Sequence, residues 1–493
     1  YMSNTTKIIL VVVIVFVITV GCVGVALIGG GAAYYYYMPD QWLSQGDILY
    51  KEGKYNEAIT YCDKVLAIQS KSDKALSKKG LSLYYLEKYD DAVKCYDRAL
   101  EINPENSDSW YGKGLLLDDE EKYKESIKCY DKALDFTPSH REALKRKGLA
   151  LYYQKKYAEA VKCYDKVLEI DSKDGDTWNY KGLAVSEQKK YKEAIECFDK
   201  AVELKPDNYV AWDNKAYTLY DMGKFEESIK ACDKATDINP NYSSAWYDKG
   251  YALHALKKYK KAIDAYDITL KLDSKNKNAW HMKGLCLYAL KKYNDALECY
   301  DNALNIDDNL YVVWDNKGNC LSAQKKYKES IQCYNKAIAI NSEYSRAFYD
   351  KGWSLYRLKQ YNDALKCFNK SLSIDKDDYL AWYSKGYVLY DLKKYAESVK
   401  CYDKSLKISP DYFDAWAEKG ASLHRLKKYK EAIKCYDKAI KIDSQVAFIW
   451  YYKGLSLFAI KQYGEAAKCA KKALALDPGY EYAKELKKAC SSK

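Results

Sequence analysis

Two apolar patterns divide the chain. Ile8 to Ala33 is one continuous apolar run without a charged residue. A run of roughly 20 apolar residues is long enough to cross a bilayer as a helix, which satisfies its own backbone polar groups there. Beyond it the apolar positions become periodic. Around Gly250, Trp246, Gly250 and Leu253 share one helical face, and Tyr259, Ala262, Tyr266, Thr269 and Leu270 share another. Lys257-Lys258 breaks the pattern between them. The spacing predicts two amphipathic helices joined by a short turn.

That unit recurs without insertion or deletion. Gly46, Gly80, Gly114, Gly148, Gly182, Gly250, Gly284, Gly318, Gly352, Gly386, Gly420 and Gly454 fall on one lattice of 34 residues, and Ala216 fills the remaining slot. A strict period of this length predicts a row of stacked helix hairpins. Pro104, Pro138, Pro206, Pro240, Pro410 and Pro478 close many of the second helices, as a residue that cannot continue a helix should. Residues 481–493 read as a charged amphipathic helix capping the end of the row.

Trp110, Gly114, Tyr123, Ser126, Tyr130, Ala133 and Pro138 resemble the tetratricopeptide repeat family, in its prokaryotic, archaeal style. Thirteen copies carry the resemblance, from Pro39 to Tyr480. It implies an all-α right-handed solenoid of thirteen helix hairpins, preceded by the apolar helix 8–33 and a tyrosine-rich linker at 34–38. One departure recurs: the family's leucine before the glycine is here Lys79, Lys113, Lys147, Lys181 and onward to Lys453. Burying an ammonium is costly. The stems should pack and the heads reach outward, toward Asp97, Asp131, Asp165 and their equivalents.

The resemblance also implies a concave groove lined by first helices. Four residues after the lattice position stand Tyr50, Tyr84, Tyr152, Tyr220, His254, Tyr288, Tyr356, Tyr390, His424 and Phe458. These form the candidate protein-binding surface. One residue after it stand Leu81, Leu115, Tyr217, Tyr251, Trp353 and Tyr387, among others. They either join the groove or pack between neighbouring first helices.

Composition adds three points. Tyrosine is abundant, at 53 residues, which suits a repeat that uses it at fixed positions. The net charge of +12 is spread along the chain, with a lysine in most hairpin turns such as Lys88, Lys156 and Lys292. Such an edge reads as solvated, and no nucleic-acid motif accompanies it. Most of the 16 cysteines occupy one repeat position, among them Cys95, Cys129, Cys163 and Cys299. Equivalent positions of stacked hairpins stand near 10 Å apart, about one helix spacing. A disulfide needs Cα atoms within about 7 Å, so free thiols are expected.

No catalytic constellation appears. His140, His254, His281 and His424 sit in different repeats without metal-ligand spacing, and no phosphate-binding glycine loop is present. The chain therefore reads as a protein without enzymatic activity, metal or cofactor.

Lys7 precedes the apolar run, and Tyr34, Tyr35, Tyr36 and Tyr37 follow it. Tyrosine suits the headgroup level. The first lysine after the run is Lys51, so the positive-inside rule puts the repeats outside. The apolar core is longer than that of a cleaved secretory signal. The leading expectation is a membrane-anchored scaffold for protein–protein interaction outside a prokaryotic cell, holding a protein or peptide ligand, or other copies of itself. The alternative starts from residue 1 being tyrosine: a processed chain whose apolar helix resembles a type IV pilin and which self-assembles into an extracellular filament or sheath.

Overall fold

A computed structural model describes residues 31–493, with side chains from residue 38. Lys7 and residues 8–30 of the expected membrane helix lie outside the described residues, as do the side chains of Tyr34 to Tyr37. Among the described residues there are 27 helices and no strand. None of these helices is long and apolar enough to cross a membrane.

The described residues form two compact units, the first ending at Asn239 and the second beginning at Pro240. Within each, the two helices of a hairpin pack on one another, and each second helix packs on the next first helix. The lattice predicts the bounds closely. First helices such as Asp73–Tyr85 and Lys277–Ala289 have 13 residues, and second helices such as Tyr89–Ile102 and Tyr293–Ile306 have 14.

The beginning differs from expectation. Residues 34–38, read as a linker, are helical: the first described helix is Gly31–Lys51, with Pro39 inside it. Pro39 occupies the place where the other first helices begin. Proline tolerates a first-turn position because the N–H it lacks has no partner there, yet here the helix continues upstream.

The core repeats one contact. A large ring sixteen residues after the lattice glycine lies flat on that glycine. Tyr96, Tyr300, Tyr402 and Phe198 are each fully buried in this way. Burying such a ring contributes roughly 2–3 kcal/mol. In the sixth copy the lattice residue is Ala216 and the ring is replaced by Cys232, both 0% exposed. The final copy has Ala470 in the ring's place, and Leu486 of the terminal helix Glu481–Ser491 covers Gly454 instead.

Each hairpin turn is closed by a hydrogen-bond pair. Lys257 N–H donates to the His254 carbonyl at 2.8 Å and Lys258 N–H to the Leu253 carbonyl at 2.9 Å. This geometry requires a left-handed residue at the first of the two positions. Glycine supplies it at Gly53 (φ 73°) and Gly223 (φ 75°), but eleven other turns use lysine or glutamate, such as Lys257 (φ 57°) and Glu87 (φ 60°).

The lysine before each glycine behaves as its chemistry requires. Lys113 reaches Asp97 at 2.6 Å, Lys147 reaches Asp131 at 2.5 Å and Lys181 reaches Asp165 at 2.7 Å. Lys317 pairs with Asp301 likewise. Several also lie over the tryptophan three residues earlier, as Lys181 does over Trp178 at 5.1 Å. Those tryptophans tie down the preceding loop: Trp110 Nε1–H donates to the Pro104 carbonyl at 2.9 Å. Where the aspartate is present the cation is thus paired within the framework; sixteen residues before Lys351 and Lys385 that place holds Asn335 and Asn369.

Candidate functional site

The ten residues expected to line a groove share a structural role. Each ring meets the aromatic residue that opens the second helix of its own hairpin. Tyr50 lies 5.8 Å from Tyr55, Tyr84 5.8 Å from Tyr89, and Tyr152 5.4 Å from Tyr157. The same pairing joins Tyr220 to Phe225, His254 to Tyr259 and Tyr288 to Tyr293. It joins Tyr356 to Tyr361, Tyr390 to Tyr395, His424 to Tyr429 and Phe458 to Tyr463. Tyr84 is buried, Tyr288 is exposed, and the others are half-buried.

Polar atoms on these rings reach the next hairpin. Tyr356 Oη donates to Asp391 at 2.7 Å, and His424 Nδ1 meets Ser456 Oγ at 2.8 Å. Arg425 Nε donates to Tyr390 Oη at 3.3 Å. Of the second set, Leu81 and Leu115 are buried in the core, whereas Tyr217 is 54% exposed.

The same helix face carries charged residues two to three places before the lattice glycine, which sequence reasoning did not single out. In the first unit, Lys78 lies 2.7 Å from Asp47 and 3.6 Å from Asp108, and His140 Nε2 meets Asp108 at 3.2 Å. Burial works against the charge of Lys78, but Asp108 and Asp47 outweigh it and raise its pKa. In the second unit, Asp315 and Asp350 are 2% and 8% exposed. Asn319 Nδ2 donates to both, at 3.3 and 3.2 Å, and Arg346 Nε donates to Asp350 at 2.8 Å. Burial, then the charge of Asp350, pushes Asp315 up to about 7.

One cavity opens on this face in the second unit, with a volume of about 280 Å³. Three successive first helices line it: Tyr379–Asp391, Phe413–Arg425 and Ala447–Ala459. Tyr387, Tyr390, Tyr436, Phe448 and Tyr452 give it five aromatic walls, and Glu418 and Asp391 contribute carboxylates, with Arg425 the one arginine. Tyr390 and His424, two of the expected groove residues, belong to it. Phe448 and Tyr452 are 40% and 41% exposed. Burial, then Asp414 and Asp391, pushes Glu418 up to about 7. Among the described residues no group of three or more His, Cys, Asp or Glu side chains could hold a metal ion.

A signal for these residues exists in the sequence. Across the thirteen copies, the position two before the lattice residue reads Ser44, Lys78, Gly112, Arg146, Tyr180, Asn214, Asp248, Met282, Asn316, Asp350, Ser384, Glu418 and Tyr452. Framework positions hardly change, so a position that varies this freely is not needed by the fold.

Family models of the tetratricopeptide repeat match residues 42–72, 77–141, 142–174, 278–310, 310–377, 379–412, 413–445 and 447–480. This chain belongs to the tetratricopeptide repeat family. Within that repeat array, residues 187–269 match the family of anaphase-promoting complex, cyclosome, subunit 3. No curated protein matches the chain. Among solved structures it is similar to YrrB, described as a TPR protein with an unusual peptide-binding site. That match has 24% identity, covers 39% of this chain and 98% of that one, and has a TM-score of 0.34. It is also similar to the APC/C hetero-tetramer Cut9–Hcn1, at 14% identity, 93% and 98% coverage and a TM-score of 0.41. Yeast Tom70 matches at 17% identity, 85% and 95% coverage and a TM-score of 0.39.

Proposed function

We propose that this tetratricopeptide repeat chain is a membrane-anchored scaffold outside a prokaryotic cell, whose first-helix face holds segments of partner proteins. The observation that carries the binding role is the division of labour within the repeat. Glycine, buried ring, tryptophan and lysine–aspartate pair build an almost invariant frame, while the face around Glu418 varies and carries an aromatic-walled cavity. A surface of this kind suits recognition of polypeptide. The uncharged run from Ile8 to Ala33 supports the anchor, and Lys7 supports the orientation.

Photo-cross-linking in cells tests the binding role. A photoreactive residue at the cavity position Ala421 should capture partner protein, whereas one at the exposed second-helix position Lys400 should not. Equal capture from both, or none from Ala421, argues against it. For the anchor, the chain should stay in alkali-washed membranes and leave them only in detergent, with the repeats cut by protease added to whole cells. Long polymers in negative stain would favour the filament reading.

A further inference from the structure

We infer that the Glu418 cavity receives one lysine or arginine side chain from a bound partner segment, with its charge on the Glu418 carboxylate and its stem against the surrounding rings. This rests on the protein-binding reading above and names the chemistry it selects.

Four observations converge. First, Glu418 lines the cavity, and none of the influences on its charge is a hydrogen bond or a cation. A carboxylate in such a place gains most from a partner that brings positive charge. Second, the walls are aromatic, from Tyr387, Tyr390 and Tyr436 to the exposed rims of Phe448 and Tyr452. Ring faces attract cations, and their flat sides suit an aliphatic stem. Third, the Tyr436 hydroxyl is buried without a hydrogen-bond partner and belongs to this wall. It can accept from an incoming ammonium or guanidinium. Fourth, the volume of about 280 Å³ lies at the lower edge of small-molecule sites, which run about 300–1,000 Å³. It fits a single long side chain.

The charges around Glu418 favour a cation. Asp414 on its own helix and Asp391 on the preceding first helix both push its pKa upward. Arg425 lines the cavity too, its Nε donating to the Tyr390 hydroxyl, and its charge opposes a second cation; Asp391 also lines the cavity, so two carboxylates face one guanidinium there. Burial, then Arg425, lowers the pKa of His424, which keeps that ring neutral near pH 7. The surrounding Tyr383, Tyr387, Tyr402, Tyr436 and Tyr452 are all raised by burial and stay neutral. Since a cation binds the charged form of Glu418, affinity should climb from about pH 6 to about pH 8.

The test uses the full chain in detergent and fluorescent, end-blocked peptides of serine, glycine and leucine that differ at one central position. Lysine and arginine peptides should bind about tenfold tighter than the norleucine peptide, and the glutamate peptide should bind weakest. Glu418→Gln should abolish the preference and its pH dependence, with the far-ultraviolet circular dichroism of the parent chain showing that the repeats remain folded. Tyr452→Leu should reduce the preference with the carboxylate in place. Equal binding of lysine and norleucine, or a preference that survives Glu418→Gln, overturns the inference and leaves the scaffold reading standing. Failure of every peptide to bind defeats both.

Discussion

A β-carbon built on Gly284 would stand 2.5 Å from Cε1 of Tyr300. Real contacts of that kind are far longer, so the ring and the glycine exist for each other. Gly284→Ala should destabilise the second unit by about 1–3 kcal/mol, the usual cost of overpacking a core. Tyr300→Cys alone should also destabilise it, but the double variant should lose less than the two single losses together, because the sixth copy pairs Ala216 with Cys232 in the same arrangement. Denaturant midpoints of the single and double variants measure the coupling. Simple additivity would refute this account.

Lysine in a left-handed turn is a strained choice. Lys291 holds φ at 61°, where a β-carbon costs roughly 1 kcal/mol. Lys291→Gly should therefore raise stability by up to about 1 kcal/mol, and Gly223→Lys should lower it by a similar amount. Thermal melts of the two variants decide the matter.

The lysine–aspartate pairs should matter less than their regularity suggests. Asp437 is 51% exposed where it meets Lys453 at 2.5 Å, and pairs that solvent reaches contribute at most about 1 kcal/mol. Two copies already carry Asn335 and Asn369 in the aspartate's place. Asp437→Asn should shift the denaturation midpoint only slightly, and by less in high salt than in low salt.

Asp315 gives the second unit a pH dependence. Burial pushes Asp315 up to about 7 in the folded protein, far above the ordinary aspartate range. The folded state therefore holds the proton more tightly. This contribution to stability is full below the unfolded pKa, declines as pH rises through the interval, and is lost above about pH 7. Asp315→Asn should stabilise the protein at pH 8 by about 1–2 kcal/mol and leave it little changed at pH 4. Melts across that range check the slope.

The repeat-position cysteines Cys163, Cys299, Cys333 and Cys435 are buried free thiols. Burial pushes Cys299 up to about 12 and Cys435 to about 11. A thiol held protonated is a poor nucleophile. Native protein should react slowly with a thiol reagent, with the half-buried Cys95 and Cys129 reacting first. Fast labelling of the whole set without denaturant would contradict the burial.

Local chemistry made the hairpins legible. Periodicity placed both helices of each unit, because a 34-residue repeat samples the same apolar face thirteen times. The lysine–aspartate pairing also followed from the chain alone, since a half-buried ammonium needs a nearby carboxylate. The helix through Pro39 was less visible, because proline at a helix start reads as a boundary whether or not the chain continues helically before it. Left-handed lysines were hidden for a related reason: the turn's hydrogen bonds impose that conformation on whatever residue stands there.

The candidate site needed the tertiary structure. Glu418, Tyr452 and Tyr387 lie on three different helices, and only stacking brings them around one cavity. Tyr390 and His424 were named from spacing, but spacing cannot show that Tyr390 binds Arg425 or that His424 binds Ser456. Sequence determines which faces are apolar and which positions are free to vary, because those depend on neighbours along one helix. Which of the variable side chains meet, and how far burial shifts their charge, depends on neighbours from other repeats, and only the packed molecule decides that.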